Sequence, residues 1–310
     1  RGAENMLKYI AKRIGLAIVT IWAVATITFF LMNMVPGGPF LSEKAISPQA
    51  QAALEAKYGL DKPLFEQYLT YMKDALHGDF GDSLKQRGRT VAAIIKNKFP
   101  VSARVGGISV LVALCVGIPL GCIAAIRRGK FVDSFISVVA TCGIAVPSFV
   151  ICTVLMYFLG VKLKVLPTLG LTSWKHYIMP VIALAFYPTA YIMRLTRSSM
   201  LDVLGQDYMR TARAKGLSQV VSLFKHALRN AILPVITYVG PMLAYTLSGS
   251  FVVEKIFTIP GLGGEFIGSI TSRDYTVIMG TTIFLATLII VMNVLVDIVY
   301  KIVDPRIKLK

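Results

Sequence analysis

Six stretches of this chain run without a charged side chain: Ile14–Val35, Val105–Ile126, Ser134–Val161, Tyr177–Met193, Ala231–Val253 and Tyr275–Val296. A hydrocarbon core about 30 Å thick is crossed by about 20 apolar residues wound as a helix. Within it the backbone must satisfy its own hydrogen bonds, so spans of this length are helices. The pattern predicts an all-α polytopic membrane protein with six transmembrane helices. Ser134–Val161 is longer than a crossing needs and is expected to tilt or to run past the hydrocarbon. Tyr177–Met193 is the shortest and carries Pro180 and Pro188, whose disturbed backbone bonding neighbouring helices must accommodate. With 55% hydrophobic and 16% charged residues and a mean hydropathy of +0.67, the chain matches neither a disordered polymer nor an ordinary soluble enzyme.

The formal charge of +17 is distributed unevenly. Segments 1–13, 127–133, 194–230 and 301–310 hold 18 Lys and Arg against five acids. The two short loops on the other side, 162–175 and 254–274, hold 5. Segment 36–104 holds ten, but long loops translocate regardless of charge. Both termini are therefore expected in the cytoplasm, and the basic excess reports orientation without requiring a nucleic-acid partner. The first span is too long for the apolar core of a signal peptide, and Pro36-Gly37-Gly38-Pro39 follows it instead of a small-residue cleavage site; it reads as a retained anchor. Residues 1–5, ahead of Met6, read as an expression remnant. The remaining organisation is 6–35 (N-terminus and first span), 36–104 (outer loop) and 105–310 (five further spans with a cytoplasmic loop at 194–230).

The outer loop carries helix punctuation. Ser47-Pro48 opens a helix that Gly59 closes; Pro63 opens a second that Gly78 stops, with Leu64, Phe65, Tyr68, Leu69, Met72 and Leu76 along one stripe. Gly78–Ser83 reads as a tight turn. Thr90 caps Val91–Lys98, which has the pattern of a short helix lying in the membrane interface with snorkelling lysines. Loop 36–104 is thus expected to be a folded helical cap, and it also offers a docking surface.

The cytoplasmic loop reads as two short helices. Asp207 caps Tyr208–Lys215, with Gly216 as a left-handed stop; Ser218 caps Gln219–Asn230. In the first, Tyr208, Met209 and Ala212 form a small apolar patch, while Arg210, Arg213 and Lys215 point elsewhere. A stiff amphipathic helix between two spans suits a groove on a soluble protein, and a basic loop resting on anionic headgroups suits the same residues.

Tyr208–Ser218 followed by Lys225–Pro234 resembles the coupling loop of ABC-importer permeases of the peptide/nickel group. Val35–Phe40, His77–Gly81, Phe99–Ser102, Val146–Phe149, Glu254–Gly263, Arg273–Tyr275 and Asp304-Pro305 match that group in order. The resemblance covers nearly all of Met6–Lys310 and is nearest to the B-type transmembrane subunit of oligopeptide importers. It implies the type I importer permease fold in the bacterial plasma membrane. It also implies half of a translocation pathway, completed by a second homologous permease. Two cytoplasmic ATPase subunits would bind the ATP and Mg, and an extracytoplasmic binding protein would deliver the peptide. Dipeptide and nickel importers share the motifs. The broader family places a Glu six residues before the loop glycine; here that residue is Arg210, so no carboxylate contact is expected there.

The resemblance assigns ATPase coupling to Tyr208, Met209, Arg210, Thr211, Ala212, Arg213, Ala214, Lys215, Gly216 and Leu217. It assigns the outer face that meets the binding protein to Glu254, Gly261, Gly263, Arg273 and Asp274. Small and hydroxyl residues in or beside the spans (Ser102, Ser109, Thr141, Ser148 and Asn293) are candidates for the pathway, although such residues also serve ordinary helix packing. The chain has no G-x-x-x-x-G-K-[S/T] loop, so ATP is expected on other chains. No carboxylate lies mid-span as a proton-coupled carrier would need; Asp297 is near the cytoplasmic end, four residues from Lys301. A stand-alone secondary carrier and a transport-inactive scaffold remain the alternatives from other classes. Cys115, Cys122, Cys142 and Cys152 read as free thiols within spans, and His77, His176 and His226 lie in separate loops, so no metal, catalytic set or cofactor is expected in this chain. In a background free of native cysteines, Thr70→Cys and Arg213→Cys should be labelled from opposite faces of the membrane by an impermeant maleimide; same-face labelling would reverse the orientation.

Overall fold

The computed structural model describes residues 2–36, 38–40, 48–216, 218, 221–247 and 251–303. The helices are α1 Gly2–Met34, α2 Pro48–Lys57, α3 Leu64–Leu76, α4 Val91–Ile126, α5 Phe131–Ala145 and α6 Ser148–Leu155. After them come α7 Lys175–Leu204, α8 Asp207–Ala214, α9 Leu233–Leu247, α10 Phe251–Ile256, α11 Leu262–Ser272 and α12 Tyr275–Val303. The protein is all-helical among the described residues apart from one isolated bridge between Asp82 and Thr90. Five segments are long and apolar enough to cross a membrane: Ala11–Met34, α4, α7, Leu233–Ile256 and Tyr275–Val296. A bent pair makes the sixth. The chain divides into two compact units, Arg1–Val101 with Gly261–Ile290 and Ser102–Pro260 with Val291–Lys310.

The bent pair corrects the expectation of one continuous helix over Ser134–Val161, tilted or running past the hydrocarbon. Helix α5 and the segment Ser148–Lys162 meet at 104°. Pro147 lacks an N–H and crowds the residue before it, pushing that residue out of the helical region; Val146 accordingly sits at φ −81°, ψ 122°. Past α6 the chain continues in a wider π-helical winding over Met156–Lys162.

In the first unit, Pro48 and Gly59 bracket α2, and Pro63 and Gly78 bracket α3, with both glycines at positive φ. The Ser47 cap lies outside the described residues. The stripe expected on α3 is only partly buried. Tyr68 packs edge-on against Phe29, at 5.5 Å between ring centres, and its hydroxyl is 2.8 Å from Thr26 Oγ1. Leu64, Phe65, Leu69 and Leu76 stay exposed. Thr90 does cap, accepting the Ala93 N–H at 3.1 Å. The helix it opens is no separate interfacial piece: α4 runs 36 residues from Val91 to Ile126, through Pro100. Val91, Ile94 and Ile95 are buried, and a Cβ on Gly280 would lie 2.5 Å from Val91 Cγ1, so that glycine lets α12 close over the first turn of α4.

Asp274, just before α12, organises this unit. Only 1% exposed, its carboxylate accepts the Ser83 hydroxyl, the backbone N–H groups of Leu84 and Lys85 at 3.0 and 3.3 Å, and the Thr276 hydroxyl at 3.1 Å. A buried carboxylate is tolerable only when its lone pairs are met in this way. Nearby, the Tyr71 phenol is buried with no hydrogen-bond partner. Burial, with Asp79 close by, pushes its pKa up.

The second unit packs through backbone proximity. A Cβ on Gly106 would stand 2.1 Å from the Thr246 carbonyl oxygen, so α4 and α9 touch at a distance only glycine permits. Val110, Ala113, Ala185, Ile192, Val235 and Met242 form its central cluster. Replacing Asp274 by Ala should cost the first unit about 3 kcal/mol, the scale of charged hydrogen bonds left unmade. Limited proteolysis should then cut within 79–90 faster than in the parent, and an unchanged rate would remove Asp274 from its organising role.

Candidate functional site

The loop that follows α7 is built from the end of that helix. At 30 residues and 1.5 Å per residue, α7 is about 45 Å long, more than a hydrocarbon core requires. Gly205 ends it, α8 follows, and Gly216 stops α8 at φ +73°. Ser218 Oγ accepts the Val221 N–H at 3.3 Å, the cap expected of it. The helix expected over Gln219–Asn230 is a π-helical turn at Ser222–Leu228, then Arg229–Ala231, and α9 follows from Leu233.

Helix α8 does not present the apolar patch expected of it. Met209 is only 1% exposed; it packs with Ala125, Met200, Ala227 and Ala231 of its own unit. The reason is periodicity. A helix of eight residues with one large apolar side chain on its inner face uses that side chain to hold itself down. Met209 is therefore corrected from a partner contact to an anchor. Tyr208 is 42% exposed, and its hydroxyl accepts from Asn230 Nδ2 at 2.9 Å. Arg210, Thr211, Ala214, Lys215 and Gly216 are exposed. Arg210 lies 3.7 Å from Asp207 in an open ion pair. The side chains of Ala212 and Arg213, and all of Leu217, lie outside the described residues. The described outer face of α8 is thus polar and basic, held down by Met209.

Behind this loop a charged pair joins two helices. Arg197 on α7 donates to Asp133 on α5 through Nε at 2.5 Å and through its terminal nitrogen at 2.9 Å. Asp133 is buried and also accepts the Gly129 N–H at 3.0 Å. Two parallel charge-assisted bonds fix angle as well as distance. The pair ties the start of α5 to the length of α7 that leads into α8. Sequence reasoning left these two residues as unconnected basic-side charges, because 64 positions separate them.

Of the pathway candidates, Ser102 and Ser109 are buried: Ser102 donates to Glu254 at 2.6 Å, and Ser109 bonds back to the Val105 carbonyl at 2.8 Å. Neither faces an open space, which corrects both. Thr141 is exposed but bonded to the Ser137 carbonyl at 2.8 Å, and Asn293 is half-buried on α12. Ser148 lines a cavity of about 570 Å³ at the α5–α6 break. The residues expected to face a binding protein are largely internal. Glu254, Gly261, Gly263 and Asp274 are buried, the two carboxylates accepting from Ser102 and from Ser83, Leu84 and Lys85 respectively. Arg273, at φ +59°, donates to the Pro36 carbonyl at 2.9 Å. The four cysteines are free, and among the described residues no group of three His, Cys, Asp or Glu side chains could hold a metal ion.

Comparison with known proteins supplies the family. Residues 117–309 match the binding-protein-dependent transport system inner membrane component, and residues 6–106 match the N-terminal region of such membrane components. The chain belongs to this permease family. It is 47% identical over 304 residues to the dipeptide transport system permease protein DppB of Bacillus subtilis (strain 168), covering 98% of this chain and 99% of that one. It is 40% identical over 305 residues to the oligopeptide transport system permease protein OppB of Salmonella typhimurium, covering 98% and 100%. A chain of the MetNI methionine ABC transporter in an inward-facing crystal form shares the fold, with a TM-score of 0.55 at 15% identity, over 68% of this chain and 96% of that one. The protein is accordingly a multi-pass inner-membrane permease component, and ATP hydrolysis belongs to other chains of such systems.

The Arg197–Asp133 pair ties α7, ahead of α8, to α5. Asp133→Asn should lower stability by about 2 kcal/mol, less than a fully buried pair because Arg197 is partly exposed. The reversed pair, Asp133→Arg with Arg197→Asp, should recover part of that loss in a thermal melt of the detergent-solubilised protein. Equal melting of the parent and Asp133→Asn would show that the pair contributes nothing.

Proposed function

We propose that this permease is half of the translocation pathway of an ATP-driven peptide importer whose cargo is short peptides, dipeptides foremost. The observation that carries the reading is the 47% identity to a dipeptide permease across 98% of the chain. The long outer loop, which pointed toward oligopeptides, is shared with the dipeptide and oligopeptide relatives alike, since each aligns over 98% of the chain. It does not separate the two cargoes, and oligopeptide import stays as the second reading on the 40% identity to OppB.

In this reading a second homologous permease completes the pathway, and a binding protein delivers peptide to the outer loops. Two ATPase subunits grip the two permeases, one on each. The exposed ridge of Arg210, Thr211, Ala214 and Lys215 lies in the ATPase groove while Met209 pins α8 to its own unit. Closure of the ATPase dimer on ATP then displaces α8, and α7 and α5 move with it through Arg197 and Asp133. ATP supplies the free-energy difference between inward- and outward-facing states. Arg210 makes the contact basic, so the groove it enters should carry acidic residues.

The test is uptake into vesicles holding the assembled importer, purified through a tag on this chain, with its binding protein in the outer medium. Labelled dipeptide should accumulate only with ATP inside, and a pentapeptide should accumulate less. Uptake by this chain alone, driven by an ion gradient, would instead identify a secondary carrier. Gly216→Val should reduce ATP-driven uptake about tenfold, because a β-branched residue is strained at φ +73° and misdirects the end of α8. Unaltered uptake would remove this loop from coupling.

A further inference from the structure

Helix α3 belongs to the outer loop, yet it packs beside the first span rather than beyond its end. The Tyr68 hydroxyl is 2.8 Å from Thr26 Oγ1, and the Tyr68 ring meets those of Phe29 and Phe30 with centres 5.5 Å apart in each case. The uncharged run of that span continues to Val35. At 1.5 Å per residue, Phe30 lies about 8 Å below its outer end. The last span gives a similar level. Tyr68 clusters with Ile278 and Met279, and the uncharged run there starts at Tyr275, about 5 Å further out. Two spans thus set this part of α3 at the depth of hydrocarbon.

Two apolar strips run along α3. Tyr68, Tyr71 and Met72 form the one that packs with the spans. Phe65, Leu69 and Leu76, one helical face at i, i+4 and i+11, form the other, and they are 64%, 52% and 85% exposed. The opposite side is polar, with Gln67, Thr70 and Asp74 at the wall of a cavity of about 330 Å³. The uncovered strip continues the outside of α1. Phe65 and Phe30 both stand against Tyr68, at 6.2 and 5.5 Å between ring centres, and Ile27, Leu31 and Met34 on α1 are more than half exposed.

We propose that α3 is seated in the outer leaflet, with Phe65, Leu69 and Leu76 against lipid acyl chains. Interfacial helices sink their apolar face about 5–10 Å into the boundary between headgroups and chains, which is the depth that both spans give. A soluble protein docks outside the headgroups and cannot reach a strip level with Phe30. The core of a protein interface is depleted of charge, whereas this strip is flanked by the open Lys62–Glu66 pair, at 3.1 Å, and by exposed Lys73. Lysines so placed extend their stems along the apolar surface and return the ammonium to the headgroups. Seated in this way, α3 ties the outer loop to the bilayer as Tyr68 ties it to α1, and other parts of the loop are left for soluble partners. The inference is independent of cargo and holds for dipeptide and oligopeptide import alike.

The experiment uses the assembled importer in nanodiscs of phosphatidylcholine and phosphatidylglycerol, in a background free of native cysteines. A nitroxide is attached at Phe65→Cys or Leu69→Cys, and at Asp61→Cys as the reference ahead of the helix. Power-saturation EPR reads collision with oxygen, which concentrates in hydrocarbon, and with nickel-EDDA, which stays in water. The oxygen-to-nickel ratio should be higher at Phe65→Cys and Leu69→Cys than at Asp61→Cys. In the parent chain, a phosphatidylcholine with a diazirine on its acyl chain should, on irradiation, leave adducts on the peptide carrying Phe65–Leu76. A ratio at both positions no higher than at Asp61→Cys would put the strip in water. Weak collision with both reagents would put a second protein chain over it. Either result overturns the proposal, as does the absence of acyl-chain adducts on that peptide.

Discussion

Backbone hydrogen bonding without water is the constraint from which the rest of this structure follows. In hydrocarbon each peptide group must find its partner within the protein, so the spans are helices, and any interruption must be enclosed. Pro147 makes the interruption with the largest consequence. It extends Val146 and turns the segment Ser148–Lys162 through 104° from α5, and its carbonyl accepts the Val150 N–H at 3.0 Å to start α6. Pro188 does the complementary thing on α7 by freeing a carbonyl.

The buried charges follow the same logic with higher stakes. Asp133 and Asp274 are carboxylates removed from water, and each is surrounded by donors: Arg197, Gly129 and Ser137 for the first, Ser83, Leu84, Lys85 and Thr276 for the second. A surrounded carboxylate fixes the elements that bring the donors. Asp274 fixes the turn at 82–86 to the start of α12. Asp133 fixes α5 to α7. Met209 serves the same end by apolar means, seating α8 on its own unit and leaving a basic ridge outward.

Local chemistry was legible where the deciding interaction is short in sequence. Thr90 capping Ala93, Ser218 capping Val221, Gly78 and Gly216 at positive φ, and Pro63 opening α3 all depend on residues within a few positions. Reading failed where a distant neighbour decides. Val91–Lys98 has the pattern of an interfacial helix, yet Gly280 lets α12 pack on Val91 and the segment becomes the first turns of α4. Ser102 and Glu254 were each reasonable surface or pathway residues until the fold placed them 2.6 Å apart and out of water.

The order of uncharged runs, the placement of basic residues and the loop motifs together determined that this is a polytopic permease, since hydrophobic length, charge bias and turn chemistry are properties of contiguous sequence. Which face of α8 is free and which aspartates are partnered were decided by tertiary structure alone. Those depend on residues brought together across 64 or 191 positions, and pattern along the chain carries no record of such distances.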